Sequence, residues 1–447
     1  MARRPRPPLN VYLNSRLVGR LRRESSGAID FRYDQSWLDW SNAIPVSLSL
    51  PLREDRYIGA PVIAVFENLL PDNPDIRRRV AERADAGGSD AYSLLSAIGR
   101  DCVGALQFIP EGTEVAPAGQ IDARPVSDDE IAALLADLGR SPLGLGSDRE
   151  FRISLAGAQE KTALLWWNGQ WHMPHGTTAT THILKPEIGG LPGGIDLSQS
   201  VENEYLCMKL VAALGLPVAH AEIAEFAGRK TLVVERFDRL WTREKRLLRV
   251  PQEDCCQALS VPPNLKYESD GGPGIRDIAE LLKGSDTPEE DRRSLFRAQL
   301  VFWLLGATDG HAKNFSVRLA PGGRFSLTPL YDIMSTQPNF DAHQIQRKQM
   351  RLAMAVGTQR HYIVDSIAPR HFEQTAALCG FPAQDLASLI DELRDTAAPA
   401  IDRTLGELPA NFPAALAMSI AEGAKHRANL LRVSTESKAS TAQDGLP

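Results

Sequence analysis

The chain has 447 residues, more than one ordinary core holds, so its length predicts two or three domains. At 43% hydrophobic and 24% charged residues it reads as globular and soluble, and a formal charge of −6 argues against a protein that coats nucleic acid by itself. The five cysteines, Cys102, Cys207, Cys255, Cys256 and Cys379, form no C-x-x-C pair, which fits a reducing cytosol better than a disulfide framework or a zinc site.

From the N-terminus, "MARRPRPPLN" is basic but lacks the apolar core of a secretory signal, and no apolar segment approaches the roughly 20 residues that span a bilayer. A cytoplasmic location with no membrane partner is expected. Residues 9 to 33 hold two alternating stretches, "NVYLNSRLVGRL" and "GAIDFRYD", split by the turn-former "RESSG"; they predict a small antiparallel sheet. "IPVSLSLPL" predicts a further strand and "VIAVFENLLPDNPDIRRRVAERA" helices punctuated by proline, and "AYSLLSAIGRDCVGALQFIP" closes a first domain, 1–110.

Residues 111–150 turn to Pro, Gly, Ala and acid around one amphipathic helix, "SDDEIAALLADLG", and read as a connector. The block 151–250 is strand-rich: a hairpin in "FRISLAGAQEKTALLWW" and "QWHMP", a short strand "THILKPE", and two more in "VAHAEIAEFAGRKTLVVERFDR". Between them, "SQSVENEYLCMKLVAALG" predicts a helix with a serine cap and a closing glycine, and "GGLPGG" at 189 to 194 reads as a flexible loop. From 251 to 433 the pattern is helical, and the polar tail 434–447 is expected to be disordered. Strands followed by helices predict an α+β fold with two lobes.

The chemistry concentrates in "ATDGHAKNFSV", directly behind the apolar run "LFRAQLVFWLLG". Asp309 and Asn314 stand five residues apart, the spacing of the aspartate and asparagine in a protein-kinase catalytic loop. Phosphoryl transfer needs an acceptor hydroxyl held by a carboxylate and metal ions held by oxygens. Lys313 would neutralise charge on the transferring group. "RFSLTPLYDIMS" delivers a second carboxylate, Asp332, at the end of an alternating run, flanked by Tyr331 and Ile333. A solvated turn would suit "DGHAKN" alone, and His311 reads more simply as a structural histidine. Asp332 shifts the balance towards a metal site.

A nucleotide clamp is expected in "RISLAGAQEKTALL". Gly157 between Ala156 and Ala158 lets backbone amides approach phosphate oxygens, with Gln159, Glu160 and Lys161 following. Glu160 stands where a Walker A motif has glycine, and an ordinary hairpin turn fits the segment too. Lys185 in "THILKPE" sits like the lysine of a kinase N-lobe strand, with Glu202 and Glu204 equally placed as partners on the next helix. "TLVVERFDR" has the apolar-to-polar form of a hinge.

With "SLAGAQEKTALL", "TTHILKPE", "VENEY", "VERFDR", "DGHAKNFS" and "LYDIMS" in that order, and "LSLPL", "FENLLPDNP" and "KYESDGGPG" elsewhere, the chain resembles the HipA-type serine/threonine kinases, toxins of bacterial type II toxin–antitoxin pairs. The resemblance implies a protein-kinase-like two-lobed α+β fold with an added N-terminal α/β subdomain, a nucleotide-binding lobe at 151–250 and an all-helical catalytic lobe at 251–433. It implies ATP and Mg²⁺ as cofactors, with Asp309 catalytic and Asn314 and Asp332 holding the metal. Residues Ala156 to Lys161 and Lys185 would meet the phosphates, and Glu235, Arg236 and Phe237 the adenine through backbone groups. His311, Lys313 and Tyr331 are counted with the nucleotide contacts, and Ser154 would be the autophosphorylation site that switches the enzyme off. Expected partners are a HipB-like helix-turn-helix antitoxin, operator DNA mainly through that antitoxin, and an aminoacyl-tRNA synthetase, the glutamyl type first, as substrate. Two other readings remain: a catalytically idle corepressor, against which the four intact residues Lys185, Asp309, Asn314 and Asp332 speak, and a small-molecule kinase.

Overall fold

Asn14 and Ser15 both adopt left-handed backbone (φ 46° and 64°), which makes the first apolar stretch a hairpin rather than one strand. Leu9–Leu13 and Arg16–Arg23 pair across it, and Ile29–Tyr33, Tyr57–Ile58 and Leu106–Pro110 complete a five-stranded antiparallel sheet. The computed structural model of the chain describes residues 7–145, 153–157 and 159–443, with 432–443 as backbone only. It divides into two units. The first runs to Pro186 and adds His220–Lys266 and Ser316–Phe325; the second comprises Glu187–Ala219, Tyr267–Phe315 and the chain from Ser326 onward.

The first unit holds a second, six-stranded antiparallel sheet ordered Ala221–Phe226, Arg229–Glu235, His182–Pro186, Thr162–Trp167, Gln170–Pro174 and Ala123–Pro125. The last strand comes from the expected connector, and so does helix Asp128–Ala136. Ser127 and Glu130 close that helix with a capping box, and it buries Ile131 and Leu135. Phe31 and Phe108 of the N-terminal sheet and Phe66 of helix Ala60–Glu67 share one apolar cluster with Leu155 and with Leu164 and Leu184 of the second sheet.

The strand expected in "IPVSLSLPL" is absent; only Ser47 and Leu50 form a bridge there. Side chains have taken over the backbone bonding, as Ser and neighbouring polar groups do when they compete with a ladder. The Leu48 amide donates to Glu253 Oε1 at 2.7 Å, and the Ser49 hydroxyl donates to the Gln257 carbonyl at 2.8 Å.

A buried ionic cluster lies within this unit, two of its arginines on the small hairpin Arg239–Trp241 with Leu247–Arg249. Asp101 takes Arg239 at 2.9 Å, Arg249 at 2.8 Å and Arg236 at 3.4 Å, plus the Thr180 amide at 3.0 Å. Asp238 receives Arg236 at 2.8 Å and the Gly104 amide at 2.7 Å. Burial alone would raise the Asp101 carboxyl, but the three guanidinium groups outweigh it and hold it well below the usual carboxylate range.

The second unit is mainly helical: Ser200–Ala213, Ile275–Leu281, Pro288–Leu305, Pro369–Leu378, Ala383–Gly406 and Ala414–Gln443. It is not all helical, because Arg351–Val356 and His361–Ile363 pair as a hairpin. "GGLPGG", expected as a loop, supplies part of another small hairpin, Gly189–Leu191 with Ile195–Leu197. No serine caps helix Ser200–Ala213: Gln199 holds that position without a side-chain bond, and the Ser200 hydroxyl accepts from the Ile188 amide instead. The last helix continues to Gln443 through most of the stretch expected to be disordered. Its "STESKASTAQ" contains neither Gly nor Pro, and extending a helix already nucleated is far easier than starting one.

Glu253 generates a pH test. Its side chain is buried, which pushes the carboxyl up to about 8 against the bond from the Leu48 amide. A raised carboxyl is bound to its proton in the folded chain, so its stability contribution is complete at low pH and lost as pH climbs from the ordinary value near 4.5 towards 8. Glu253→Gln should flatten that decline, giving a higher melting temperature than the parent at pH 8.5 and little difference at pH 5, measured by thermal unfolding.

Candidate active site

Helix Pro288–Leu305 sets up the site. Proline fits its first turn, Glu289, Glu290 and Asp291 complement its N-terminal dipole, and the later turns are buried. It stops at Gly306, which adopts φ 64° and turns the chain out of the core. Asp309 to Asn314 follow as an irregular loop ending in the short 3₁₀ turn Ala312–Asn314. The His311 amide donates to the Asp309 carbonyl at 2.8 Å and the Asn314 amide to the His311 carbonyl at 2.9 Å.

Asn314 brings the three oxygen-bearing residues together. Its Nδ2 donates to the Asp309 carbonyl at 2.7 Å and to the Asp332 carbonyl at 3.4 Å. Both amide hydrogens are thus directed at these backbones, and Oδ1 is the atom available to accept from a cation. Asp332 is not delivered by a strand end: strand Phe325–Leu327 stops at Leu327, and Pro329 has no N–H to extend the ladder. Leu330 instead bonds to Pro217 and Ala219 in an isolated bridge, and Asp332 follows with left-handed backbone, φ 60°. Ser335 locks the segment, donating its hydroxyl to the Leu305 carbonyl at 2.6 Å and exchanging bonds with Asn203 of helix Ser200–Ala213 at 2.8 Å.

Exposure separates the roles. The Asp309 side chain is 60% exposed and that of His311 only 4%; Lys313 and Asn314 are also buried. Tyr331 ties the loop down, donating its hydroxyl to the Lys313 carbonyl at 2.8 Å. His311 packs its ring edge-to-face on Tyr267, 5.0 Å between centroids, and Tyr267 donates to Asp309 Oδ1 at 2.6 Å. His311 and Tyr331, expected among the nucleotide contacts, also support the loop.

The remaining expected site residues lie in the first unit. Ser154 is fully buried, its hydroxyl donating to the Leu69 carbonyl at 2.7 Å and its amide to the Asp101 carbonyl at 2.9 Å. Gly157 bridges to Pro71, and its carbonyl accepts from the Asp72 amide at 3.0 Å. The segment after Ser154 is thus seated on residues 69–72. Gly157 has φ 107°, which only glycine adopts without strain, and a Cβ there would lie 2.5 Å from Lys161 Nζ. Lys161 is buried under this turn. Glu160 pairs with Arg79 at 2.8 Å and Gln159 donates to the Pro186 carbonyl at 3.2 Å, so both face protein groups; Ala156 lies within the described residues and Ala158 outside them.

Lys185 is buried on strand His182–Pro186, in register with Leu232. Glu202 and Glu204 are both buried on helix Ser200–Ala213 of the other unit. Glu235 ends its strand with an exposed side chain, Phe237 follows, and Arg236 between them is committed to the ionic cluster. The Arg236 amide also donates to the Thr181 carbonyl at 2.9 Å, so only its carbonyl is left for a hinge contact. Sequence reasoning missed Asp101, Asp238, Arg239 and Arg249. Their one signal was density of charge in "GRDC" and "ERFDR" beside apolar strands.

An α+β fold that turns a buried helix into an aspartate-to-asparagine loop, with a second aspartate tethered to it, is of the protein-kinase class. The HipA-like C-terminal domain family matches residues 153–401, and the HipA N-terminal domain family matches residues 9–109. Y4mE of Sinorhizobium fredii, named for an inferred kinase activity, is 36% identical over 433 residues, 95% of this chain and 99% of that one. The serine/threonine-protein kinase toxin HipA of Shewanella oneidensis is 30% identical over 363 residues, 78% of each chain. A chain from the solved complex of Shewanella oneidensis HipA, HipB and operator DNA matches with a TM-score of 0.79 at 25% identity, covering 95% of this chain and 98% of that one. The chain belongs to the HipA family of serine/threonine-protein kinase toxins. Among the described residues no helix is long and apolar enough to cross a membrane.

Gly310 offers a test of the loop. A Cβ there would lie 2.5 Å from the buried Phe302 ring, which has no room to yield. Gly310→Ala should shift Asp309 and lower the rate of phosphate transfer by about a hundredfold, the effect expected of an ångström-scale misplacement. Circular dichroism should register a folded chain.

Proposed function

We propose that the chain transfers the γ-phosphate of ATP to a serine or threonine hydroxyl of a protein, with Asp309 as the carboxylate that orients the acceptor. The observation that carries this is the Asn314 amide, which holds the backbones of Asp309 and Asp332 within one hydrogen bond of the same side chain. Asn314 Oδ1 and the Asp332 carboxylate are hard oxygen donors of the kind Mg²⁺ takes alongside phosphate oxygens, so these residues fit the ion. When bound, Mg²⁺ would neutralise charge on the β- and γ-phosphates. Asp309 would receive the proton as the acceptor oxygen bonds to phosphorus and the bond to ADP breaks. Lys313 would place a cation beside the reacting group. Lys161 and Lys185 of the first unit would be phosphate contacts. The adenine would reach the backbone at Glu235 and Phe237 and the carbonyl of Arg236.

Ser154 is the proposed self-inactivation site, and its burial supplies the logic. A fully buried hydroxyl is reached only after the segment 153–157 leaves its seat on residues 69–72. Phosphate adds about two negative charges, which cannot return to a dry seat at acceptable desolvation cost. The partners we propose are a HipB-like antitoxin, operator DNA contacted mainly through it, and an aminoacyl-tRNA synthetase, the glutamyl type first, whose modification would arrest growth. A relative solved with HipB and operator DNA supports the first two, and a formal charge of −6 favours leaving phosphate neutralisation to the antitoxin. "KHRANLLR" does not add a basic face: Arg427 is buried on the Leu304 carbonyl and Lys425 pairs with Asp402.

Asp309→Asn should keep ATP binding and lose both phosphate transfer and growth arrest. Phosphoproteomics after brief induction, with this variant as control, should reveal phosphoserine on a synthetase, whereas label on metabolites alone or arrest by the variant would overturn the reading. Ser154→Ala should lose self-labelling while ATP still binds, and undiminished self-labelling would remove that site.

A further inference from the structure

Tyr267 has no place in the scheme above, yet its hydroxyl donates to Oδ1 of the Asp309 carboxylate at 2.6 Å. An aspartate whose side chain is 60% exposed would otherwise sample several rotamers. Asn314 fixes the Asp309 backbone but leaves the carboxylate free to rotate. A donor on Oδ1 removes that freedom and leaves Oδ2 as the oxygen that an incoming hydroxyl meets.

The segment carrying Tyr267 is built to hold it there. The Tyr267 carbonyl accepts from the Asp270 and Gly272 amides at 3.1 and 3.0 Å, closing a tight turn through Gly271, whose φ of 92° only glycine supplies cheaply. Glu268, the next residue, is anchored on the hairpin, where Oε2 accepts from the Ala355 amide at 2.6 Å and the carboxylate pairs with Arg360 at 3.3 Å. A Cβ on Gly274 would lie 2.7 Å from the Glu268 carboxyl carbon, so the glycine makes room for this anchor. On its other side the Tyr267 ring rests edge-to-face on buried His311.

We infer that Tyr267 is a positioning residue for phosphoryl transfer, holding Oδ1 of Asp309 so that Oδ2 faces the acceptor hydroxyl. The inference rests on the reading of Asp309 as the catalytic carboxylate. The phenol itself touches neither substrate nor nucleotide in this role; it sets the angle at which Asp309 waits. Tyr267→Phe keeps the ring on His311 and removes only the donor.

The full-length chain is assayed for label transferred from ATP to protein serine in a lysate lacking its own copy, over a range of ATP concentrations. Tyr267→Phe should lower the maximal rate by about tenfold or more, while the ATP concentration for half-maximal rate stays within about twofold and the melting temperature is unchanged. In the Asp309→Asn background the same change should have no further effect, since both act through one carboxylate. A Tyr267→Phe protein as fast as the parent overturns the inference. A faster one also overturns it, making the phenol a plug that the acceptor must displace. A melting temperature that falls together with the rate assigns a merely structural role and overturns it as well. Full activity of Asp309→Asn would instead sink the underlying assignment, so the two failures are distinguishable.

Discussion

One side-chain amide imposes the constraint on which the catalytic unit depends. Asn314 directs both hydrogens of its Nδ2 at main-chain carbonyls, one on Asp309 and one on Asp332, which are 23 residues apart in the chain. Neither bond touches a carboxylate. The geometry therefore fixes where the two aspartates leave the backbone. The left-handed φ of Asp332 follows from the same tie, because the chain must turn sharply between its bridge at Leu330 and its lock at Ser335. Such strain persists only where neighbouring bonds over-determine it, and here they do.

The first unit applies a related device through Asp101. Its carboxylate gathers Arg236, Arg239 and Arg249, while its own carbonyl accepts the Ser154 amide. A single residue of the N-terminal part thus touches both places where this unit would grip a nucleotide. A buried ionic cluster is weak evidence for stability, since desolvating charges offsets most of their attraction. Its clearer physical consequence is registry: Arg236 and Arg239, two positions before and one after Asp238, can satisfy these carboxylates in one strand arrangement only. The shared apolar core of the two sheets carries the bulk of the cohesion.

Elements with a strong period were legible in the sequence. The helix Pro288–Leu305, the strands around Lys185 and Glu235, and the aspartate–asparagine spacing all follow from patterns internal to a few residues. Segments governed by distant partners were not. Ser47 to Leu50 alternate like a strand, but their bonds go to Glu253 and Gln257, some two hundred residues away. Asp332 seemed to ride a strand because Pro329 breaks the ladder without breaking the alternation. His311 is buried and Tyr331 bonds the Lys313 carbonyl, and neither feature has a signature in the local sequence. Asp101 carried only a weak local signal and Tyr267 none, since each matters through residues that only folding brings near.

Taken together, the loop reads as a contrast in accessibility. His311, Lys313 and Asn314 are buried, yet Asp309 among them stands mostly in solvent. A carboxylate meant for structural pairing would gain from joining its neighbours inside. One meant for a protein hydroxyl must remain within reach of a macromolecular surface, and an exposed side chain then needs something other than packing to hold its angle. A phenol donor does that at little cost in access, because it occupies one oxygen and leaves the other open. The same opposition governs Ser154, a hydroxyl placed where no acceptor role is possible until its segment moves. Under the proposed roles, exposure keeps Asp309 within reach of an outside hydroxyl, and burial withholds the Ser154 hydroxyl while its segment is seated.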